Sequence, residues 1–378
     1  MDHCDVLIIG AGIAGVSAAY ELSQSRQVVV LERESQPGYH TTGRSAAIYT
    51  KNYGSPAIRA LTRASYRFFT EAQPEFADQP LLTPRGALFV AREDQLDVLD
   101  AAFAGTQSLV PTIRRIDAAE TIRINPALNP EFVGGAIFEP EASDIDVHAL
   151  HGGFLKGLRK RGGTIVTNAD VTTTSRVGDK WIVESGAGNY SADVVINAAG
   201  AWCDVIAELA GVRPIGLQPK RRTVFTFDPP PELDISSWPL TIDLDETFYF
   251  KPDAGKILCS PADETPSAPC DAQPEEIDVA IAIDRLQTVT NLRVQTIASK
   301  WAGLRSFVAD KTPVIGMDDE VEGFFWLAAQ GGYGIQSSPA AGRVTASLVI
   351  DGVLPGDILE TGLQEADLAP RRKQSGAP

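Results

Sequence analysis

Gly10, Gly12 and Gly15 stand in the order Gly-x-Gly-x-x-Gly, and Glu32 closes the next apolar run. These residue types at this spacing suit the binding of a dinucleotide. Gly10 permits a tight turn, Gly12 lets backbone approach a pyrophosphate, and Gly15 lets a helix pack closely on a strand. Ala14 completes the same turn. A carboxylate at Glu32 can accept hydrogen bonds from adenosine ribose hydroxyls.

The motif works only between the right elements. Asp5–Ile9 is an apolar run of β type that feeds directly into Gly10. Val16, Ala19 and Leu22 continue at helical spacing, and residues 27–31 form a second apolar run ending at Glu32. The stretch therefore reads as a whole βαβ unit, whose helix N-terminus offers free N–H groups to phosphates. The spacing leaves FAD and a nicotinamide dinucleotide both open. The segment after Glu32 and Arg33 favours FAD: residues 36–47 are small and hydroxyl-rich, with Thr41, Thr42, Gly43, Arg44, Ser45, Ala46 and Ala47 able to follow a long cofactor.

The rest of the chain must complete that unit. Its 378 residues predict about two domains, and the net charge of −16 argues against nucleic acid and anionic lipid as partners. Cys4, Cys203, Cys259 and Cys270 form neither a disulfide framework nor a zinc pattern. His148 and His151 lack a third ligand nearby, so no metal is expected. No stretch reads as an integral membrane segment or secretory leader, which makes a cytoplasmic protein the expectation.

Helical patterns fall at 93–103, 117–124, 146–161 and 275–292, with Asp117 and Asp146 as N-caps. Strand patterns at 163–167, 171–177, 181–184, 192–197 and 324–328 belong with the first βαβ unit. A last helix runs from the Gln330–Gly334 turn to about Ile350. Between these lie β-rich blocks at 86–90, 133–139, 222–227, 247–251, 256–260 and 300–308. The expected fold class is α/β, a Rossmann-type FAD-binding domain with an inserted α+β substrate domain on a mainly antiparallel sheet. The expected cofactor domain is discontinuous, from residues 1–50, 140–215 and 303–378. Residues 51–139 and 216–302 form the substrate domain that roofs the flavin.

Several stretches together resemble the D-amino acid oxidase and glycine oxidase group of flavoproteins, and within it the bacterial FAD-dependent D-arginine dehydrogenases. They are Gly10–Gly15, LERESQPGYHTTGRSAA at 31–47, NAAGAWCD at 197–204, LQPKRR at 217–222, WAGLRSFVAD at 301–310 and AAQGGYGIQ at 328–336. The resemblance runs from about Asp5 to about Leu368. It implies FAD as cofactor, held also by Ile48, Val171, Ala199, Gly200 and Trp202. It places Gly331, Gly332, Tyr333, Gly334, Ile335 and Gln336 at the flavin ring, with Gln336 beside it. It implies that Arg222 and Arg305 bind a substrate carboxylate, which suits the planar guanidinium fork. Tyr53 and Tyr249 would hydrogen-bond the substrate, and the Gly332 carbonyl would receive its amine. The electron acceptor implied is a quinone or another carrier.

The chain departs from the arginine enzymes at two positions. Their guanidinium-gripping glutamate corresponds here to Ala87, and a histidine near their active site corresponds to Ile48. Leu240 and Ile242 point the same way. A desolvated cationic side chain would lose its counter-charge at a cost of several kcal/mol. The expectation is therefore oxidative deamination of D-amino acids with neutral or apolar side chains in preference to D-arginine. Within enzymes the alternatives are a secondary amine or imino acid, of N-methyl amino acid or D-proline type, and a 2-hydroxy acid. Outside enzymes stands a flavin-bound protein without turnover, and a third alternative is a nicotinamide-dependent dehydrogenase.

Overall fold

Asp2–Ile9 is a central strand of an eight-stranded sheet in the computed structural model, which describes residues 2–107 and 110–372. Residues 1, 108–109 and 373–378, parts of the expected segments 1–50, 51–139 and 303–378, lie outside the described residues. Val28–Leu31 and Gly188–Asn197 flank the first strand, both parallel to it. Thr164–Val166 extends the parallel run beyond Val28–Leu31, and Phe324–Ala328 pairs with the last residues of Gly188–Asn197. Val171–Val177, Lys180–Ser185 and Val314–Met317 add antiparallel strands.

A parallel sheet covered on both faces needs apolar residues at every position, which explains the unbroken runs in the sequence. Val6, Ile8, Val28 and Val30 enter one core with helices Ile13–Leu22, Val147–Lys160 and Gly334–Ile350. Leu7, Ile9, Val29 and Leu31 enter the opposite core, against Trp181, Trp326 and Ile206. The two N-caps form as the sequence predicts. Asp146 accepts from Ala149 N–H and Asp117 from Glu120 N–H, each at 2.8 Å.

A second, nine-stranded sheet forms the roof. Its order is Thr265–Pro266, Gln218–Phe227, Lys256–Ser260, Tyr249–Asp253, Leu240–Asp243, Ala87–Ala91, Gly135–Glu139 and Arg114–Asp117. Ile297–Phe307 runs along the other side of Gln218–Phe227. All its pairings are antiparallel except Leu240–Asp243 beside Ala87–Ala91. Helix Glu276–Val289 covers it through Val279, Ala282 and Leu286, against Phe225, Phe250 and Ile257. The α/β class with a mainly antiparallel second sheet is as expected from sequence.

Two features shift the expected domain borders. Helix Pro56–Thr70 has no counterpart among the patterns above, and it packs Ala57, Ala60 and Leu61 into the core of the first sheet. Ser55 caps it and Pro56 opens it, where a missing N–H costs nothing. Strand Ile297–Phe307 runs unbroken through the 302/303 border and belongs to the roof. We propose the discontinuous two-domain division with those amendments. No helix among the described residues is long and apolar enough to cross a membrane.

Candidate active site

The turn after the first strand can be built only from glycine at two of its positions. Gly10 has φ +106°, and a β-carbon on Gly15 would sit 1.9 Å from the Gly10 carbonyl oxygen. This closeness sets the N-terminus of helix Ile13–Leu22 on the wall of a long cavity, with Gly12 and Ala14 lining it. Thr42 accepts from Ile13 N–H at 3.0 Å and fixes the next segment against that turn. Thr41, Thr42, Arg44, Ser45, Ala46, Ala47 and Ile48 then follow the wall, and Gly200 stands on it as well. Gly331, Gly332, Gly334, Ile335 and Gln336 bring the N-terminus of the last helix onto the same wall, with Gly334 close to Ile13.

Some expected cofactor residues lie behind this wall. Gly10, Gly15, Gly43 and Ala199 shape the turns beneath it. The Glu32 carboxylate accepts from Ala11 N–H at 2.9 Å and from Glu34 N–H at 3.0 Å, so it braces the glycine turn. Val171 is buried in the second core. Arg33 lies over the Trp202 ring at 5.0 Å, and the His40 ring packs on the same indole. Arg44 lines the cavity, yet its guanidinium is spent on protein: it donates to the carbonyls of Ala272 and Ala302, both at 2.9 Å, and pairs with Asp271. Tyr333 packs its ring edge-on against Tyr53, at 5.0 Å between centroids.

The donor set fits FAD. Two helix N-termini face one cavity, and the side-chain amides of Gln330 and Gln336 on its wall each bury an Nε2 without a partner. Such donors match the pyrophosphate and the acceptor-rich flavin edge of that cofactor. Among the described residues no cluster of His, Cys, Asp and Glu is arranged to hold a metal ion.

Pairing of the two longest roof strands brings the arginines together. Arg222 lies opposite Gly303 and Arg305 opposite Lys220, so Arg222 and Arg305 are diagonal neighbours on one face of the sheet. Both line the cavity. Arg222 donates from Nε to the Asp263 carbonyl at 2.9 Å and has Glu264 at 3.6 Å. Burial and the neighbouring charge of Arg305 hold its pKa below the ordinary guanidinium value. Arg305 has no ion-pair partner among the described residues. Burial works against its charge, but Tyr53, Tyr333 and Tyr249 around it raise its pKa above the ordinary value. Two like charges with one weak carboxylate contact between them leave a site that attracts an anion.

Tyr53 and Tyr249 line the same end of the cavity. Burial pushes the Tyr53 phenol up, with Arg305 pulling it back, so it stays a neutral donor. Its hydroxyl donates to Glu246 at 3.1 Å. The sequence reading did not single out Glu246, the one carboxylate among the described lining residues. It has φ +53°, in a turn that Asp243 ties down by accepting from Thr247 N–H and Phe248 N–H. The signal available was Asp243 placed before a polar break between two apolar runs. Ile48, Ala87, Phe89, Val224, Leu240 and Ile242 add apolar lining to the same cavity, Val224 on the strand of Arg222, with Ala87 fully buried.

Residues 5–348 match the family described as DAO, FAD dependent oxidoreductase. The chain is 26% identical over 409 residues to FAD-dependent oxidoreductase domain-containing protein 1 of Xenopus laevis, covering 93% of this chain and 80% of that one. It is 22% identical over 386 residues to mitochondrial dimethylglycine dehydrogenase of Rattus norvegicus, covering 95% of this chain but 44% of that protein. Among solved structures it is similar to glycine oxidase from Geobacillus kaustophilus, with TM-score 0.81, 19% identity and coverage of 92% and 95% of the two chains.

Proposed function

The chain belongs to the DAO family of FAD-dependent oxidoreductases, and from that premise we propose that it oxidatively deaminates D-amino acids with neutral or apolar side chains. The observation that carries the reading is that Arg222 and Arg305 share one cavity with the apolar side chains of Ile48, Ala87, Leu240 and Ile242. An amino acid meets both needs, with a carboxylate for the arginines and an uncharged side chain for Ile48, Ala87, Leu240 and Ile242. The D configuration rests on the family resemblance.

When bound, FAD supplies a two-electron acceptor for hydride from the substrate Cα, leaving an imino acid that water converts to a 2-oxo acid and ammonia. The residues of this chain hold the substrate for that event. Arg222 and Arg305 grip the carboxylate, the Tyr249 hydroxyl donates beside them, and the Tyr53 hydroxyl joins them by turning from Glu246. The Gly332 carbonyl accepts from the amine, which must lose its ammonium proton before its electrons can move. Gly12, Ala14 and residues 41–48 line the channel for the rest of the cofactor. The N-terminus of helix Gly334–Ile350 favours negative charge at the flavin ring.

A second reading has support from the dimethylglycine dehydrogenase relative, whose name gives an N-methylated amino acid as substrate. The arginines serve N-methyl amino acids, D-proline and 2-hydroxy acids equally well. Electrons would leave to a quinone or another carrier. All four cysteines are free, which supports a reducing, cytoplasmic setting. The deciding experiment is anaerobic bleaching of the bound flavin by D- and L-amino acids, N-methyl amino acids and 2-hydroxy acids. Fastest bleaching by apolar D-amino acids supports the proposal. Fastest bleaching by N-methyl substrates transfers it to the second reading, and a preference for D-arginine overturns the pocket assignment.

A further inference from the structure

Gln336 stands on the first turn of the last helix, 3% exposed, with one side on the cavity. Its Oε1 accepts from Thr50 N–H at 3.1 Å. A backbone N–H can bond only to the oxygen of the amide, so the amide has a single orientation. Nε2 is then the free end, buried and without a partner. Leaving such a donor unsatisfied is costly, so the site favours an acceptor from outside the chain.

Thr50 is itself held, and Glu139 holds it. This glutamate ends strand Gly135–Glu139, directly opposite Ala87 in the roof, and is 1% exposed. Its Oε2 accepts from the Thr50 hydroxyl at 2.7 Å and its Oε1 from Lys51 N–H at 3.1 Å. Two bonds to consecutive residues fix the chain there, and with it the direction of Thr50 N–H. Burial pushes the Glu139 carboxyl up, against the pull of Thr50 and Lys51 and with a push from Glu141. A carboxylate so deep is costly, and it does not line the cavity. What it does is hold the segment that orients Gln336.

We propose that Glu139 is a positioning residue that, through Thr50, keeps the Gln336 amide turned with its NH2 toward an acceptor atom on the flavin ring edge. This rests on the FAD site and is independent of which amine is oxidised. Hydride arrival adds negative charge to the ring, and a fixed donor stabilises that charge at no reorganisation cost.

The test reads the holoenzyme flavin without substrate, by its visible spectrum and its midpoint potential during dithionite titration. A failure of the amino acid reading leaves these measurements unaffected. Gln336→Leu is expected to perturb the spectrum and move the potential to more negative values. Gln336→Glu keeps an oxygen for Thr50 but turns a second one to the cavity, and moves the potential further the same way. Glu139→Ala and Thr50→Val follow Gln336→Leu, and Glu139→Ala adds nothing in the double variant, as expected of one linked unit. Glu139→Gln retains one acceptor oxygen and recovers most of the wild-type value. A Glu139→Ala protein with lowered Tm but unmoved spectrum and potential overturns the proposal, as does a Gln336→Leu protein with the wild-type potential. Should Glu139→Ala lose its flavin, Thr50→Val reads the same link, and an unmoved potential there is equally fatal.

Discussion

The guanidinium of Arg305 lies against the backbone of Gly332, so close that a β-carbon on Gly332 would fall 1.7 Å from Nη2 and 2.1 Å from Cζ. The group proposed to hold the substrate carboxylate therefore occupies the space of a missing side chain. The glycine proposed to receive the amine is the same residue, so both ends of the substrate backbone are referenced to one point.

Gly332→Ala must displace Arg305. Loss of its charge-assisted bonds is worth roughly 2–3 kcal/mol, so kcat/KM for an amino acid should fall about 30- to 150-fold. Flavin absorbance per protein should stay near one equivalent. A variant with full kcat/KM would show that Arg305 does not bind the carboxylate.

Arg305→Lys and Arg222→Lys keep a positive charge but lose the planar fork. Each should raise KM for a D-amino acid by about tenfold or more. The same variants should treat the decarboxylated primary amine as the wild type does. Equal losses on acid and amine would argue for a general collapse of the pocket.

Ala87→Glu places a carboxylate on the apolar wall formed with Ile48, Leu240 and Ile242. The ratio of kcat/KM for D-arginine to that for D-leucine should rise by about tenfold. An unchanged ratio would mean that Ala87 does not face the substrate side chain.

His151 supplies the pH dependence of the cofactor turn. Its Nε2 donates to the Ala11 carbonyl at 2.9 Å. Burial, with His148 adding to it and the Ala11 bond opposing, holds its pKa below the ordinary value of about 6.5. The folded state thus binds fewer protons than the unfolded one just below that value. Stability is full above about pH 6.5 and declines as pH falls below it. Tm measured from pH 8 to 5.5 should show this decline, and His151→Gln should flatten it.

The first βαβ unit was legible because its signal is local: the glycines, the apolar runs and Glu32 lie within one short stretch. The arginines were legible only through the family resemblance, since strand pairing, not sequence proximity, joins Arg222 to Arg305. Glu246 was missed because its place depends on how a turn meets Tyr53 across the cavity. Helix Pro56–Thr70 was missed although Ser55, Pro56 and the spacing of Ala57, Ala60, Leu61 and Phe69 carried its pattern. Arg44 shows the reverse limit. It lines the cavity, while its charge is consumed by Asp271, Ala272 and Ala302, which no motif reports.

The pairing of Phe324–Ala328 with Gly188–Asn197, itself paired to Asp2–Ile9, bears on how the protein is made. On the ribosome the glycine turn emerges first, but its partners emerge in the order Val28–Leu31, Gly188–Asn197 and Phe324–Ala328. Helix Gly334–Ile350, on the same cavity wall, follows Phe324–Ala328. A nascent chain therefore exposes the phosphate-binding turn long before a flavin can be enclosed. A flavin that spans the cavity finds its whole wall only after residues up to Gln336 have been made.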